Sequence, residues 1–106
     1  MSFKLLLNTI LICLLSILSS NPIDKDGTFK GQRLCGKVKI VTSGEAFKVK
    51  VVDSFEHIKV KLVNSFPDDV GEWQIVNSFE DFRVRFVDSH EDFRIKFVES
   101  FPGRSN

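Results

Sequence analysis

FKVKVVDSFEH (47–57) and FRVRFVDSHED (82–92) are one phrase written twice, 35 residues apart. Four further copies complete the set: GKVKIVTSGEA (36–46), IKVKLVNSFPDDV (58–70), GEWQIVNSFED (71–81) and FRIKFVESFPG (93–103). Five copies are eleven residues long and the third has thirteen. Self-similarity at so short a period means that the fold is built from one supersecondary unit. Each unit opens with apolar residues alternating with charges, as in Phe47, Val49 and Val51 against Lys48 and Lys50. Period-two alternation of β-branched and aromatic side chains specifies a strand with one buried face. A helix would spread the same residues around its circumference. Val and then Asp-Ser or Asn-Ser follow, a pair whose side chains bond back to nearby backbone and favour bends. Phe55, Phe66, Phe79 and Phe101 stand just past that bend, and Pro67 and Pro102 stop a ladder from continuing. The expectation is an all-β fold of six strand-corner repeats, each about six residues of strand and five of corner.

A longer period overlies the short one. Gly36 and Gly71 open a copy where the others have Phe or Ile, and Ser-Phe-Pro closes the copies ending at 70 and 103. The six units therefore sort into two similar halves, 36–70 and 71–103, with Asp68, Asp69 and Val70 lengthening the junction. Two halves wrapped together would produce this higher period; a bare solenoid has no need of it. Trp73 takes the core-facing place held elsewhere by Val49, Val60, Val84 and Ile95.

The first twenty residues are of a different kind. Lys4 supplies one positive charge, Leu5 to Leu18 is apolar apart from Asn8, Thr9 and Ser16, and Ser19-Ser20 follow before Asn21-Pro22. A basic start, a short apolar run and small residues read as a secretory signal peptide over 1–20. The run is short for a bilayer, which takes about 20 apolar residues; the alternative is an uncleaved N-terminal helix that anchors the chain in a membrane. Cys13 follows bulky Ile12, which argues against a lipoprotein signal. The protein is thus expected to be exported, periplasmic or extracellular. Residues 21–34 read as a flexible lead-in segment partly packed near Cys35, with a turn at Asp26-Gly27 and a weak strand at Thr28-Phe29-Lys30; 35–103 is the repeat domain and 104–106 a frayed tail.

Without residues 1–20 the chain keeps 14 basic and 14 acidic side chains, since Lys4 alone is lost from the 15 and 14 of the whole. A balance this even argues against general nucleic-acid binding, which shows as a basic excess. Cys35 is then the sole thiol, so no internal disulfide forms, although exported domains of this size often depend on one. The charges are sorted by place. Strand positions two and four hold Lys37, Lys39, Lys48, Lys50, Lys59, Lys61, Arg83, Arg85, Arg94 and Lys96, interrupted by Glu72 and Gln74, while the acids gather at the corners. Like charges directly opposite one another repel, so a stagger that sets basic rows against acidic corners is expected. The sharper reading of the same pattern is a basic groove for an anionic cell-surface polymer, an acidic glycan or a phosphate-bearing wall chain.

Other constellations carry less. Ser89-His90-Glu91-Asp92 has the residue types of a hydrolase triad, but triad members converge in space and neighbours on a strand or corner diverge. Ser89 fills the repeated Ser place, and His90 replaces a Phe. His57 beside Glu56 reads as a surface residue. Cys35, His57 and His90 lack metal-ligand spacing, Asp68-Asp69 lacks a calcium-loop signature, and Gly36 and Gly71 are corners rather than phosphate cradles. Lys37 beside Cys35 would lower its pKa and make it reactive; the competing readings are a small buried residue or a dimer-forming disulfide. No catalytic, cofactor-binding or metal residue is assigned. The Phe corners, if they face solvent together, form an apolar partner surface.

The phrases FKVKVVDSF, GEWQIVNSFEDF and FRIKFVESFPG, with the central GEW and the terminal SFPG, resemble the septoil-knot family. These are small bacterial proteins whose chain is traced as a seven-crossing torus knot. The likeness covers 35–103 and departs from the pattern at Gly44-Glu45-Ala46 and at His90. It implies a compact, entwined, deeply knotted β-structure. It implies no activity, so no catalytic residue passes to this chain. A knot in turn implies slow folding and slow unfolding, hence kinetic rather than equilibrium stability. The functional expectation is a structural or binding module of the cell envelope or extracellular space rather than an enzyme. The alternatives are a small secreted hydrolase and a secreted factor acting on other cells.

Overall fold

A computed structural model describes residues 20–106, so residues 1–19 of the stretch read as a signal peptide lie outside the described residues. Nine strands follow in order: β1 (Thr28–Phe29), β2 (Gln32–Arg33), β3 (Gly36–Ile40), β4 (Phe47–Val51), β5 (Ile58–Leu62), β6 (Glu72–Ile75), β7 (Phe82–Phe86), β8 (Phe93–Phe97) and β9 (Gly103–Arg104). Among the described residues there is no helix. Strands β3, β7, β4, β8, β5 and β6 pair in that order, all parallel, and β6 pairs again with β3, which closes a six-stranded barrel. β9 adds antiparallel to β5.

Strands of the 36–62 stretch thus alternate with strands of the 72–97 stretch around the barrel. Parallel neighbours ordinarily need a crossover of a dozen residues or more, yet most of these connections have six, such as 41–46 and 52–57. Stagger makes the short connection sufficient. On β3, β7, β4 and β8 the partners on the two sides are offset by two residues, and β5 and β6 together add four, twelve in all around the barrel. Large shear means steep strands, so the end of one strand already lies near the level of the next but one.

Each corner reaches its destination by arching over the strand between. Val41 donates to Val84 O on one side of β7, and Ala46 donates to Arg83 O on the other. In the same way 52–57 straddles β8 (Val52 to Ile95 O, His57 to Arg94 O) and 76–81 straddles β3 (Val76 to Val38 O, Asp81 to Lys37 O). The 87–92 corner straddles β4, through Val87 to Val49 O and Asp92 to Lys48 O. Val98 donates to Val60 O before Gly103 pairs with Lys59, so the last corner crosses β5. The thirteen-residue unit is the exception. Val63 donates to Trp73 O on the β5 side of β6, and Asp68 O, on the β3 side, accepts from Arg33 Nη1 (3.0 Å) and lies 3.5 Å from Cys35 Sγ. Residues 33–35 already occupy that far side, so the chain turns back and enters β6 itself. Its two extra residues make the return.

The core is made from the first and third positions of the units. Val38, Val49, Ile58, Val60, Trp73, Val84, Phe93 and Ile95 are fully buried, and Phe47 and Phe82 nearly so. Trp73 meets Phe82 edge-on at 5.6 Å and donates through Nε1 to Leu34 O at 3.1 Å, so its one polar atom is satisfied. The 21–34 segment, read as a flexible lead-in, instead plugs the barrel. Its turn at Asp26-Gly27 and its β1–β2 hairpin bury Ile23, Phe29 and Leu34, with the Phe29 ring 5.4 Å from Phe47 and 5.2 Å from Phe93. The tail is also held rather than frayed: Arg104 Nε donates to Ile23 O, Ser105 N to His57 O, and Asn21 Nδ2 to both His57 O and Ser105 O. The two ends of the described chain are thereby tied to one place.

The third apolar residue of each strand, expected inside, is not. Ile40, Val51, Leu62, Ile75, Phe86 and Phe97 are 37–52% exposed. They ring the end of the barrel opposite the plug, where nothing among the described residues covers them.

Candidate functional site

Position nine of the unit decides what the corners do. Its residues are Gly44, Phe55, Phe66, Phe79, His90 and Phe101, and every one has a positive φ, between 52° and 77°. The arch needs a left-handed residue to turn back onto the barrel, and Gly44 is what unassisted sterics select. For a bulky side chain this conformation is an outlier costing roughly 1–2 kcal/mol. The four phenylalanines gain no burial in exchange: they are 85%, 81%, 90% and 89% exposed in chain order. Strain and exposed aromatic surface at the same four places are not explained by folding. The four rings thus present strained, exposed apolar surface.

The phenylalanines also share a side. Around the barrel the arches over β8, β5, β6 and β3 carry Phe55, Phe101, Phe66 and Phe79, while those over β7 and β4 carry Gly44 and His90. Interleaving of the strands makes neighbours of corners that are far apart in sequence. Nothing in the linear order of the units shows this arc.

The basic girdle has a similar asymmetry. Register sets Lys39 opposite Arg83, Lys48 opposite Arg85, Lys50 opposite Arg94 and Lys59 opposite Lys96. The expectation that stagger keeps like charges apart is therefore corrected; the acidic corners arching over the strands relieve the repulsion instead. Arg83 pairs with Glu80 at 2.6 Å, Arg85 with Glu45 at 3.1 Å and Arg94 with Glu91 at 3.5 Å. The Arg83 guanidinium holds Glu80, and the Arg85 guanidinium Glu45, below the usual carboxylate range. Glu91 is lowered chiefly by its own backbone amide and then by Arg94. None of the seven lysines of the girdle takes part in an ion pair among the described residues. Two of them, Lys59 and Lys61 on β5, lie under an arch whose tenth residue is Pro102, where four of the other arches have Glu.

Position eleven is where an arch is bolted down. Asp81 Oδ2 accepts the Lys37 amide at 2.8 Å and Asp92 Oδ2 the Lys48 amide at 2.7 Å. His57 does the same through Nδ1 to the Arg94 amide at 2.9 Å, which requires that nitrogen to be unprotonated. Burial first, and then the Arg94 charge, push the His57 pKa below its ordinary 6.5. His57, read from sequence as a surface residue, is thus a half-buried corner bolt.

The remaining candidates resolve simply. Cys35 is a free, half-buried thiol whose pKa is raised by burial, contrary to activation by Lys37. His90 Nδ1 lies 3.3 Å from Ser89 Oγ, but Glu91 turns to Arg94 rather than to the ring. Among the described residues no His, Cys, Asp and Glu group has the makings of a metal site. Shallow grooves run between adjacent strand ends, one between Ile40 and Phe86, one between Val51 and Phe86 and one between Leu62 and Ile75. None converges on a set of acid and base groups.

No curated protein matches the chain. The family model described as the 7(1) septoil knot domain matches residues 31–105, the stretch that holds the closed barrel and all its arches, and the chain accordingly belongs to that family.

Proposed function

We propose that this is an exported binding module of the cell envelope or extracellular space, without catalytic activity. One observation carries the reading: four phenylalanines held in the left-handed conformation at 81–90% exposure, beside lysines that make no ion pair. The partner class is an anionic surface polymer, an acidic glycan or a phosphate-bearing wall chain. Its charge meets the girdle, and its apolar faces meet the aromatic knuckles. The signal-like residues 1–20 support export.

The test is a pull-down of the purified protein on immobilised wall polymers and acidic glycans at rising salt. Retention at low salt that is lost by about 0.3 M, through screening of the girdle, is the expected result, and Lys48→Glu with Lys50→Glu should weaken it. No retention at low salt removes the reading. A small secreted hydrolase remains the second reading; its carrier is the Ser89–His90 contact, and turnover of a panel of ester and glycoside substrates abolished by Ser89→Ala would establish it.

We also infer that the six repeats form two entwined halves and that the chain is knotted in the family's sense. The support is the alternation of early and late strands around the barrel and the crossing of each arch over an intervening strand. A threaded chain has to unthread before it unfolds, so unfolding in denaturant is expected to take minutes or longer. Complete, reversible unfolding within milliseconds would contradict the inference.

A further inference from the structure

We propose that the polymer seats at the β8–β5 junction, on Lys59, Lys96, Phe55 and Phe101, and that it is a sugar chain bearing phosphate groups. This deepens the polymer reading above and rests on it. Four pairs of basic residues stand in register across neighbouring strands: Lys39 with Arg83, Lys48 with Arg85, Lys50 with Arg94 and Lys59 with Lys96. Like charges so placed repel. In three of the pairs a corner glutamate relieves them, Glu80 on Arg83, Glu45 on Arg85 and Glu91 on Arg94.

The fourth pair has no such relief. By the pattern of Glu45 over β7, Glu56 on the arch over β8 would meet Lys96, but Glu56 Oε2 accepts instead from Ser105 Oγ at 3.4 Å. The arch over β5 has Pro102 in the glutamate place. Register sets Val60 opposite Phe97, so Glu99 on that arch lies beyond the level of Lys61, and Lys61 already has Glu72 opposite it. Lys59 and Lys96 are left as two ammonium groups on adjacent strands, outside the three ion pairs of the described residues.

Of the four pairs, this one alone has a phenylalanine on both of the arches above it. Phe55 stands over β8 and Phe101 over β5, 85% and 89% exposed. Each of the other pairs has Gly44 over β7 or His90 over β4 on at least one side. Two ammonium groups between two exposed rings fit a ligand that alternates charge with apolar faces, as a chain of sugars joined through phosphate does. A phosphate carries oxygens on every side and is met by lysine as a point charge, so one group reaches both lysines across strands about 4.8 Å apart. A carboxylate is planar and suits the fork of an arginine. The three girdle arginines are already held by glutamates, which makes a carboxylate-bearing glycan the poorer fit.

The experiment is a titration of the purified protein, followed by backbone amide NMR shifts, with two probes of equal length and charge: a hexose oligomer linked by phosphodiesters and a uronic-acid oligomer. The phosphate probe is expected to bind more tightly and to shift the amides of Lys59, Lys96, Phe55 and Phe101 most. Lys59→Gln with Lys96→Gln should weaken it about tenfold. The urea midpoint of that variant should be unchanged or raised, because a repelling pair is gone. Phe55→Ser with Phe101→Ser should weaken the probe about fivefold. Lys48→Gln with Lys50→Gln removes the same charge from the side with Gly44 and His90, and should weaken it by less than about twofold. Uronate bound as tightly as phosphate, equal weakening by the two lysine pairs, or a phenylalanine pair without effect each overturns the assignment and leaves the polymer reading standing. No shift with either probe, while wall polymers are still retained, also ends this inference alone. Retention of no polymer at all ends the reading on which it rests.

Discussion

The β7–β4 side of the barrel and the β5–β6 side are written in the same phrase but do different work. On the first, arginines are paired with corner glutamates, and position nine is Gly44 or His90. On the second, lysines make no ion pair, position ten becomes Pro67 or Pro102, and position nine is Phe in the strained conformation. On the first side the arginines of β7 are satisfied internally, while Lys48 and Lys50 on β4 are not among the ion pairs of the described residues. The second leaves charge, strain and apolar surface for contact. A repeat keeps the strand positions fixed and lets the corners diverge, because corners face solvent and tolerate change.

The largest expected effect tests the β5–β6 side. Gly71 is buried at a φ of 89°, and a Cβ there would lie 2.5 Å from Lys59 O and 2.7 Å from Gly103 N. Backbone cannot swing aside, so Gly71→Ala should cost about 3 kcal/mol or prevent folding. Gly44→Ala on the opposite side meets nothing closer than Arg83 Nη1 at 3.9 Å and should cost only about 1 kcal/mol. Urea midpoints of the two variants measure the contrast; equal losses would remove the special standing of the β5–β6 side.

Next come the corner bolts. Asp92→Ala removes the acceptor of the Lys48 amide and should cost about 1 kcal/mol. Ala46 stands where Asp81 and Asp92 stand on other arches, so Ala46→Asp should recover a similar or smaller amount at β7. If neither change moves the midpoint, the arches are held by other contacts.

The aromatic knuckles reverse the sign. Phe79 is 90% exposed with a φ of 59°, so Phe79→Gly should stabilise the fold by up to about 1 kcal/mol while weakening partner binding. A variant that is less stable would mean that the ring packs on the barrel after all.

The smallest effect is pH-dependent. His57 is pushed below 6.5 in the fold, by burial first, so the folded state binds a proton less readily than the unfolded chain. Its contribution is complete above about pH 6.5, declines as pH falls through the depressed folded pKa, and is level below that. The urea midpoint should therefore drop between neutral and mildly acidic pH, and His57→Asn should flatten the drop. An unchanged slope in that variant would assign the effect to other groups.

Much of the fold was legible because side-chain alternation reports burial directly. The strands and the core place of Trp73 follow from spacing alone, whereas Gly36, read as a corner, is the buried first residue of β3. The candidate site was legible only in its parts. Phe55, Phe66, Phe79 and Phe101 stand out in the sequence, but Phe is as often core as surface, and φ is invisible in a list of residues. His57 looked like an ordinary surface histidine because its partner amide lies 37 positions away. The buried lead-in was missed because Ile23, Phe29 and Leu34 follow no period.

By itself, the amino-acid order determined the unit: which residues turn inward, where the chain bends and where the charges sit along each strand. Only the closed barrel decided the neighbours. Strands from the two stretches interleave, so residues that never approach one another in the chain share an edge, and the odd thirteen-residue copy becomes the place where the chain enters the neighbouring strand instead of crossing it. The reason is that alternation encodes a face while pairing partners are chosen by closure. Six short parallel strands have no free edge only in the closed order, and the asymmetry of charges and rings around the molecule exists only once that order is formed.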